Sequence, residues 1–197
     1  YNYTISTTDP DTGAVLTITA PTLPAWLSLT DNGNGTATLS GTPANAQVGS
    51  HSVVLQVSAG TLSANQTFTL VVANVNDAPT ITSNGGGATA TLNAAENQTA
   101  VTTVTATDPD IGAALTYSLA GVDAALFNID SAGVLTFNSG PNFELTADDD
   151  HNGVYEVTVQ VSDGSLTDTQ AISVTVTNVN EAPSSLGISN SSVAENT

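Results

Sequence analysis

The feature that most constrains this chain is an internal repeat with the length of one ordinary domain. Three segments occur twice in the same order: 8–17 returns as 107–116, 74–79 as 178–183, and 95–97 as 194–196. The first pair sets the offset at 99 residues (107 minus 8). Prolines close the repeated segment 74–79 and its copy, as expected where a strand gives way to a linker. We therefore predict domains at 1–79 and 80–183, with 184–197 as the first strand of a third repeat.

Within each repeat, apolar and polar residues alternate with the period of a half-buried strand. The alternating apolar positions are Val53, Leu55, Val57, Phe68, Leu70 and Val72 in the first repeat, and Tyr155, Val157, Val159, Val161, Ile172, Val174 and Val176 in the second. Asn-Gly and Asp-Gly pairs at 32–33, 34–35 and 163–164 suit tight turns with positive φ. The fold class predicted is all-β: tandem Greek-key β-sandwiches of about seven strands each.

The charge composition excludes several classes of partner. The chain has no Lys or Arg against 18 Asp and Glu, for a formal charge of -18, so it lacks the side chains that grip phosphate and anionic lipid. Nucleic acid and direct membrane contact are thereby excluded, and cations become the expected counter-charges. The absence of Cys also excludes disulfides, zinc thiolate sites and thiol nucleophiles.

An ordered set of motifs in the second repeat resembles a cadherin repeat over 80–183. The motifs are Glu96, Asp108-Pro109-Asp110, Phe127-Asn128-Ile129-Asp130, Asn142-Phe143-Glu144, Asp163-Gly164 and the segment 178–183. The first repeat resembles the cadherin-like variety of dystroglycan and of bacterial surface proteins, through Leu23-Pro24-Ala25-Trp26-Leu27 and Leu39-Ser40-Gly41-Thr42-Pro43. The linker ending Asn-Asp-Ala-Pro is similar to bacterial linkers. The resemblance implies tandem repeats of a large surface adhesin of the repeats-in-toxin type.

The Asp-Pro-Asp triplet has a physical reason to bind Ca²⁺. Pro109 holds the backbone extended, which puts Asp108 and Asp110 on the same side of the segment. Paired carboxylates are costly unless a cation joins them. Ca²⁺ takes about six to eight oxygen ligands from carboxylates, amide side chains and carbonyls. An ion placed at the end of a sandwich would tie the linker to the next domain.

The resemblance implies two sets of Ca²⁺ ligands, one for each junction. The set expected to be complete comprises Asn74, Asn76, Asp77, Asp108, Asp110 and Asp163. The other set, expected to be partial because the next repeat's Asp pair would lie beyond Thr197, comprises Glu96, Asn142, Glu144, Asn178, Asn180 and Glu181. The first repeat keeps Asp9 and Asp11 but has Ala59 in place of the third acid, so no strong site is expected there.

Other polar residues carry weaker signals. The run 148–153 (Asp-Asp-Asp-His-Asn-Gly) is either a separate loop site for a metal ion or a solvated acidic turn. Trp26, flanked by leucines, is expected in the core rather than on a sugar-stacking platform. His51 and His151 lack a partnered nucleophile in the pattern, and we expect structural roles for both.

The leading hypothesis is a Ca²⁺-binding extender and adhesion module of a secreted or cell-surface bacterial protein, acting in cell adhesion or biofilm. Its partners would be other repeats of the same chain, with a homophilic, glycan or host-surface ligand all compatible. The alternative is a carbohydrate-binding module of a polysaccharide-active enzyme or adhesin, which requires exposed aromatic residues. A hydrolase using Asp108 and Asp110 is disfavoured because the acids fall at repeat landmarks rather than in one cleft. We therefore predict that the chain is not an enzyme.

Overall fold

A computed structural model describes residues 1–183 and confirms the predicted all-β fold. Its contacts divide the chain into two compact units, 1–77 with 109–112 and 78–108 with the chain from 113 onward. The predicted first strand of a third repeat, at 184–197, lies outside the described residues. Among residues 1–183, no helix is long and apolar enough to cross a membrane.

The first unit contains two three-stranded antiparallel sheets. Its strands are β1 (Asn2–Ser6), β2 (Leu16–Thr22), β3 (Leu27–Asp31), β4 (Thr36–Gly41), β5 (Gly49–Ala59) and β6 (Leu62–Val72). One sheet has the order β1-β4-β3 and the other the order β2-β5-β6. The predicted positive φ occurs between β3 and β4, at Gly33 (+73°) and Gly35 (+78°).

The core of the first unit is supplied by both sheets, as a sandwich requires. Its buried members are Ile5, Ile18, Leu27, Ala37, Leu39, Val53 and Leu55. The alternation predicted for β5 is present, with Val53 and Leu55 buried and Val57 half-buried. Phe68, Leu70 and Val72 of β6 are only half-buried, and Phe68 and Leu70 pack against the core from its edge.

The second unit contains more and shorter strands. They are β7 (Thr80–Ile81), β8 (Thr89–Ala95), β9 (Ala100–Thr103), β10 (Ala106–Thr107), β11 (Thr116–Ala120), β12 (Phe127–Ile129), β13 (Val134–Phe137), β14 (Val154–Ser162) and β15 (Thr167–Thr177). The described strands thus number six in the first unit and nine in the second, against about seven predicted. The difference in the second unit comes partly from β7 and β10, two-residue strands that pair only with each other.

A four-stranded sheet, β11-β14-β15-β8, carries the longest strands of the second unit. The alternation predicted for β14 is confirmed, because Tyr155, Val157, Val159 and Val161 are all at most 2% exposed. These side chains meet residues of the β12-β13-β9 sheet, where the Phe127 and Phe137 rings stack at 4.6 Å with Tyr155 edge-on to both. The pairing of β15 with β8 is parallel, so both strands run toward the same end of the unit.

Candidate metal centre

The candidate site lies where β8 and β15 end side by side. The parallel register sets Ala95 opposite Thr177, and the Glu96 amide donates to the Thr177 carbonyl at 3.0 Å. Glu96 is the first residue after β8, and segment 178–183 begins directly after β15. The two segments therefore start side by side. Residues 83 positions apart in sequence meet at this end through a single strand pairing.

Glu96 is buried, at 1% exposure, and both of its carboxylate oxygens accept backbone hydrogen bonds. Oε2 accepts from the Phe143 amide at 3.0 Å and Oε1 from the Val179 amide at 2.7 Å. The Phe143 bond first, and the Val179 bond second, hold the pKa of Glu96 below its ordinary value of 4.5 against the effect of burial. Glu96 is thus an ionised carboxylate at neutral pH that ties together two loop segments.

Glu144 and Glu181 join Glu96 in a cluster of three carboxylates, called the Glu96 cluster below. One oxygen of each lies within 4.8 Å of the others, the one such group of three acidic, His or Cys residues among residues 1–183. Glu144 and Glu181 are exposed, so the cluster opens to solvent. Because the chain has no Lys or Arg, no permanently charged basic side chain balances these three charges.

Two asparagines hold the exposed members of the Glu96 cluster in place. Asn178 donates to Glu144 Oε1 at 2.7 Å, and Asn97 donates to Glu181 Oε1 at 2.6 Å. Asn97 has a positive φ of 62°, and its amide donates to the Pro141 carbonyl at 2.9 Å. Sequence reasoning had missed Asn97, although its position beside Glu96 in a repeated segment is a signal that could have identified it.

Gly140 lets the chain approach Asn97 closely enough for these contacts. A Cβ at Gly140 would lie 2.8 Å from the Asn97 carbonyl carbon, closer than packed side chains allow. The glycine therefore permits the loop that carries Asn142 and Glu144 to lie against the segment after Glu96.

The remaining predicted ligands of this set are Asn142 and Asn180, and both are exposed. Asn142 Oδ1 accepts from the Leu145 amide at 2.6 Å, which shapes the loop around Glu144. Of the six ligands predicted for this end, the structure brings together the three glutamates, with Asn178 bonded to one of them.

The other predicted ligand set is distributed over both units. Asn74 and Asn76 are exposed, and Asp77 is half-buried with its Oδ2 accepting from Asn45 Nδ2 at 2.6 Å. Asp110, which the contacts assign to the first unit, is 9% exposed and accepts from the Asp77 amide at 2.8 Å.

Asp108 and Asp163 belong to the second unit and are half-buried. Asp163 Oδ1 accepts from the amides of Ser165 and Leu166 at 2.6 and 2.7 Å, and so closes the turn between β14 and β15. The ligand roles of Asn74, Asn76, Asp77, Asp108, Asp110 and Asp163 remain predictions from the sequence.

The acidic run at 148–153, called the 148–153 loop below, is a closed turn before β14. Asp148 Oδ2 accepts from the amides of Asn152 at 2.7 Å and Gly153 at 3.2 Å. Asp123 is 4% exposed, and its carboxylate accepts hydrogen bonds from the Asp149 amide at 2.8 Å and the Glu156 amide at 2.7 Å. Asp123 is a second structural acid that sequence reasoning missed, because its partners lie 26 and 33 residues away in the chain.

Trp26 and the histidines have packing roles. Trp26 is half-buried against the first core and meets the His51 ring edge-on, with centroids 5.7 Å apart. His51 Nε2 lies 2.6 Å from the Gln47 carbonyl, and His151 Nδ1 lies 3.2 Å from the Thr146 carbonyl. These contacts place the histidine ring nitrogens against backbone oxygens.

The Glu96 cluster offers the type of oxygen donor that a hard divalent cation takes. Three carboxylates supply the oxygen donors that Ca²⁺ prefers, and the amide-bonded Glu96 keeps its charge. Zinc in proteins commonly takes His or Cys ligands, whereas this cluster is entirely carboxylate. In Ca²⁺ binding, Glu96, Glu144 and Glu181 would be the ligands, and Asn97 and Asn178 would orient them.

Comparison with family models gives two matches that together span most of the chain. The model described as Putative Ig domain matches residues 1–73, and the model described as Bacterial Ig domain matches residues 76–175. No curated protein sequence matches the chain significantly.

Comparison with solved structures gives cadherin ectodomains. Protocadherin gammaB7 EC3-6, solved as a cis-dimer, is 21% identical with a TM-score of 0.58, over 89% of this chain and 49% of that one. Drosophila N-cadherin EC1-4 is 18% identical with a TM-score of 0.59, over 84% of this chain and 42% of that one. Mouse cadherin-23 EC22-24 is 18% identical with a TM-score of 0.57, over 84% and 53%. The chain spans about half of these structures or less, and at these identities the likeness is one of fold.

Proposed function

Since the chain belongs to the bacterial Ig domain family, we propose that it is a Ca²⁺-binding extender and adhesion module of a secreted bacterial surface protein. In this proposal the repeats are part of a large adhesin of the repeats-in-toxin type that acts outside the cell in adhesion or biofilm. Ca²⁺ rigidifies the junctions between repeats. The neighbouring repeats of the same chain are its first partners.

The observation that carries the proposal is the Glu96 cluster. Glu96 follows β8, Glu144 lies in the loop before β14, and Glu181 follows β15, so one ion bound to all three would join three segments. Glu181 lies in the segment after β15, which in this proposal leads to the next repeat. An ion held there would restrain the direction in which that segment leaves.

Charge supplies the driving force for binding. Three carboxylates within 4.8 Å repel one another in the absence of a cation, and the chain offers no Lys or Arg to relieve that repulsion. An ion that binds only this folded arrangement stabilises it by linkage. Extracellular Ca²⁺ modules bind with a Kd of about 10⁻⁴ to 10⁻³ M, so such a junction would be stiff outside the cell and loose in the cytosol.

The carbohydrate-binding alternative has less support. It would use an exposed aromatic platform, but the single Trp of the chain, Trp26, is half-buried and packed against the core and His51. The indole Nε1 is also buried, so that polar edge is not available to a sugar hydroxyl. We therefore favour the extender and adhesion role.

The test is a Ca²⁺ titration of the full chain followed by NMR of the Phe143 and Val179 amides, which donate to Glu96. We expect both amides to shift on binding, and Glu144→Gln with Glu181→Gln to weaken that binding at least about tenfold because two ligand charges are lost. Glu156→Gln is the control for the loss of a charge elsewhere, since it removes one exposed carboxylate on β14 outside the cluster, and each single variant, Glu144→Gln and Glu181→Gln, is compared with it. Amides that stay unshifted at 10 mM Ca²⁺ would refute the site.

The stiffening itself is tested by small-angle scattering of the chain and of a longer chain with the next repeat complete. In the longer chain, Ca²⁺ should narrow the distribution of distances between the second unit and the next repeat relative to chelator, and the double variant should remain as broad as the chelated protein. The shorter chain, which lacks the complete next repeat, is the control. If the distance distributions are identical with and without Ca²⁺, the ion does not stiffen the junction, and this part of the proposal is refuted even where the ion binds.

A further inference from the structure

We propose that the 148–153 loop is a second Ca²⁺ site, independent of the Glu96 cluster. Its sequence places Asp148, Asp150 and Asn152 at alternate positions and Gly153 at the sixth. Calcium loops take side-chain ligands from their first, third and fifth positions and need glycine at the sixth for a sharp turn. The run Asp-Asp-Asp-His-Asn-Gly therefore has oxygen donors where such a loop needs them, with Asp149 and His151 between.

The backbone has the conformation that this spacing requires. Gly153 has a φ of +80°, and His151 has a φ of +59°. The amides of Asn152 and Gly153 both donate to Asp148 Oδ2, at 2.7 and 3.2 Å. The loop is thus wrapped around the Asp148 carboxylate, and one of its two oxygens is fully used by the turn.

The other oxygen supplies an observation that the turn alone does not explain. Asp148 is 1% exposed, and its Oδ1 is buried without a hydrogen-bond partner. A buried carboxylate oxygen without a partner is costly, and a cation removes that cost. The Thr146 hydroxyl and the amide of Asp148 itself also stabilise the charged form of this carboxylate, but neither has hydrogen-bond geometry to Oδ1.

The two further side chains whose oxygens could bind the ion, Asp150 and Asn152, already contact each other in the loop. Asn152 Nδ2 donates to Asp150 Oδ2 at 2.7 Å, and Asn152 Oδ1 accepts from the Val154 amide at 2.6 Å. Both side chains are exposed, so they can turn toward an ion without unpacking the core. Among residues 1–183, neither Asp148 nor Asp150 belongs to a group of three acidic, His or Cys residues with ligand atoms within 4.8 Å of one another. Amide and carbonyl oxygens must therefore complete the coordination.

The loop is held in place before any ion binds. The Ala147 amide donates to the hydroxyl of buried Tyr155 at 3.1 Å, and the Asp149 amide donates to buried Asp123 at 2.8 Å. Such anchoring reduces the ordering cost of binding. The twelfth position, where strong calcium loops carry a bidentate glutamate, falls on Val159 in the core. We therefore expect a weak site, with a Kd of about 10⁻⁴ to 10⁻³ M.

The test measures the two sites separately in the full chain. Tb³⁺, a luminescent substitute for Ca²⁺, should bind beside Tyr155 and be sensitised by that ring, and excess Ca²⁺ should displace it. In NMR, Ca²⁺ should shift the Asn152 and Gly153 amides. Asp150→Asn should weaken both effects at least about tenfold, because it removes a ligand charge from an exposed position.

Asp149→Asn is the matched control, because it removes the same charge one residue away at a position that supplies no ligand. It should change the loop affinity by less than about twofold. Asp148→Asn provides a second test if its melting curve shows that it folds. Equal weakening by Asp149→Asn and Asp150→Asn would reduce the site to diffuse counter-ion attraction and overturn the proposal, as would unshifted amides at 10 mM Ca²⁺.

The variant with Glu144→Gln and Glu181→Gln separates this site from the Glu96 cluster. The Asn152 and Gly153 shifts should persist in that variant while those of Phe143 and Val179 disappear. Loss of the loop shifts in the same variant would show that the loop merely senses the other site, and would also overturn the proposal.

Discussion

The Glu96 cluster and the 148–153 loop both gather acidic side chains on the second unit, but they use the oxygens differently. Each oxygen of buried Glu96 accepts a backbone amide, and Glu144 and Glu181 then bring two more charges against it. In the loop, one oxygen of Asp148 accepts from two backbone amides, and the backbone amide of Asp149 donates to Asp123.

This difference separates two uses of a carboxylate. The loop acids stabilise a turn, so removing Asp148 should destabilise the fold whether or not Ca²⁺ is present. The exposed members of the Glu96 cluster repel each other, so removing one of them should stabilise the protein when Ca²⁺ is absent. The two regions therefore predict stability changes of opposite sign.

The largest expected effect is that of Asp148→Ala in chelator. Two loop amides lose a charged acceptor in a buried setting, and we expect the free energy of unfolding of the second unit to fall by about 2 to 4 kcal/mol. Urea unfolding at neutral pH measures the change, with Asp149→Ala, an exposed neighbour, as the control. A loss of less than about 0.5 kcal/mol, the usual range for surface substitutions, would contradict a structural role for Asp148.

A smaller loss of stability is expected for Asp31→Asn. Asp31 is a half-exposed acid of the first unit, and both of its carboxylate oxygens accept hydrogen bonds from backbone amides. Ile18 donates to Oδ2 at 2.9 Å and Gly33 to Oδ1 at 3.0 Å, and these bonds, that of Ile18 first, hold the pKa of Asp31 below 3.8. A carboxyl whose pKa is lowered in the folded state stabilises the protein above its unfolded pKa. This stabilisation is lost as the pH falls through the folded pKa.

The stability difference between the unsubstituted chain and Asp31→Asn should therefore be constant near neutral pH and shrink below about pH 3.8. Thermal unfolding between pH 2.5 and 7 measures it. A stability difference that grows on acidification would contradict the prediction that these hydrogen bonds stabilise the ionised form of Asp31.

The smallest expected effect, with the opposite sign, is that of Glu144→Gln in chelator. The substitution removes one of three clustered charges and keeps an oxygen to accept from Asn178. We expect the free energy of unfolding to rise by about 0.5 kcal/mol at low ionic strength, and the gain to shrink in 1 M salt because salt screens repulsion. If chelated Glu144→Gln is less stable in low salt, the carboxylates of the cluster are not in repulsive contact.

Much of this fold was predictable from local patterns. Tyr155, Val157 and Val159 alternate with polar residues, and a strand with one buried face needs no other information. The glycines after Asn32 and Asn34 adopt the positive φ that their turns require. The parallel pairing of β8 with β15 was not predictable in the same way, because it joins residues more than 80 positions apart.

The candidate site was predictable only in part. The resemblance to a cadherin repeat named Glu96, Glu144 and Glu181 as ligands but ranked their set second, because half of its expected donors lay beyond the chain. The structure brings these three carboxylates together within 4.8 Å. Asn97 and Asp123 were missed because their roles depend on partners far away in sequence, at Glu181 and at Glu156.

By itself, the sequence determined that the chain is all-β, with one buried face on strands such as β14, and that cations must balance a chain with no Lys or Arg. Those properties depend on periodicity and net charge, which are summed along the chain. Only the tertiary structure decided which acids converge and which close turns. Glu144 and Asp148 lie four residues apart, yet one joins the Glu96 cluster and the other caps the loop before β14. Convergence is set by strand pairing between distant segments, and pairing is a property of the folded chain.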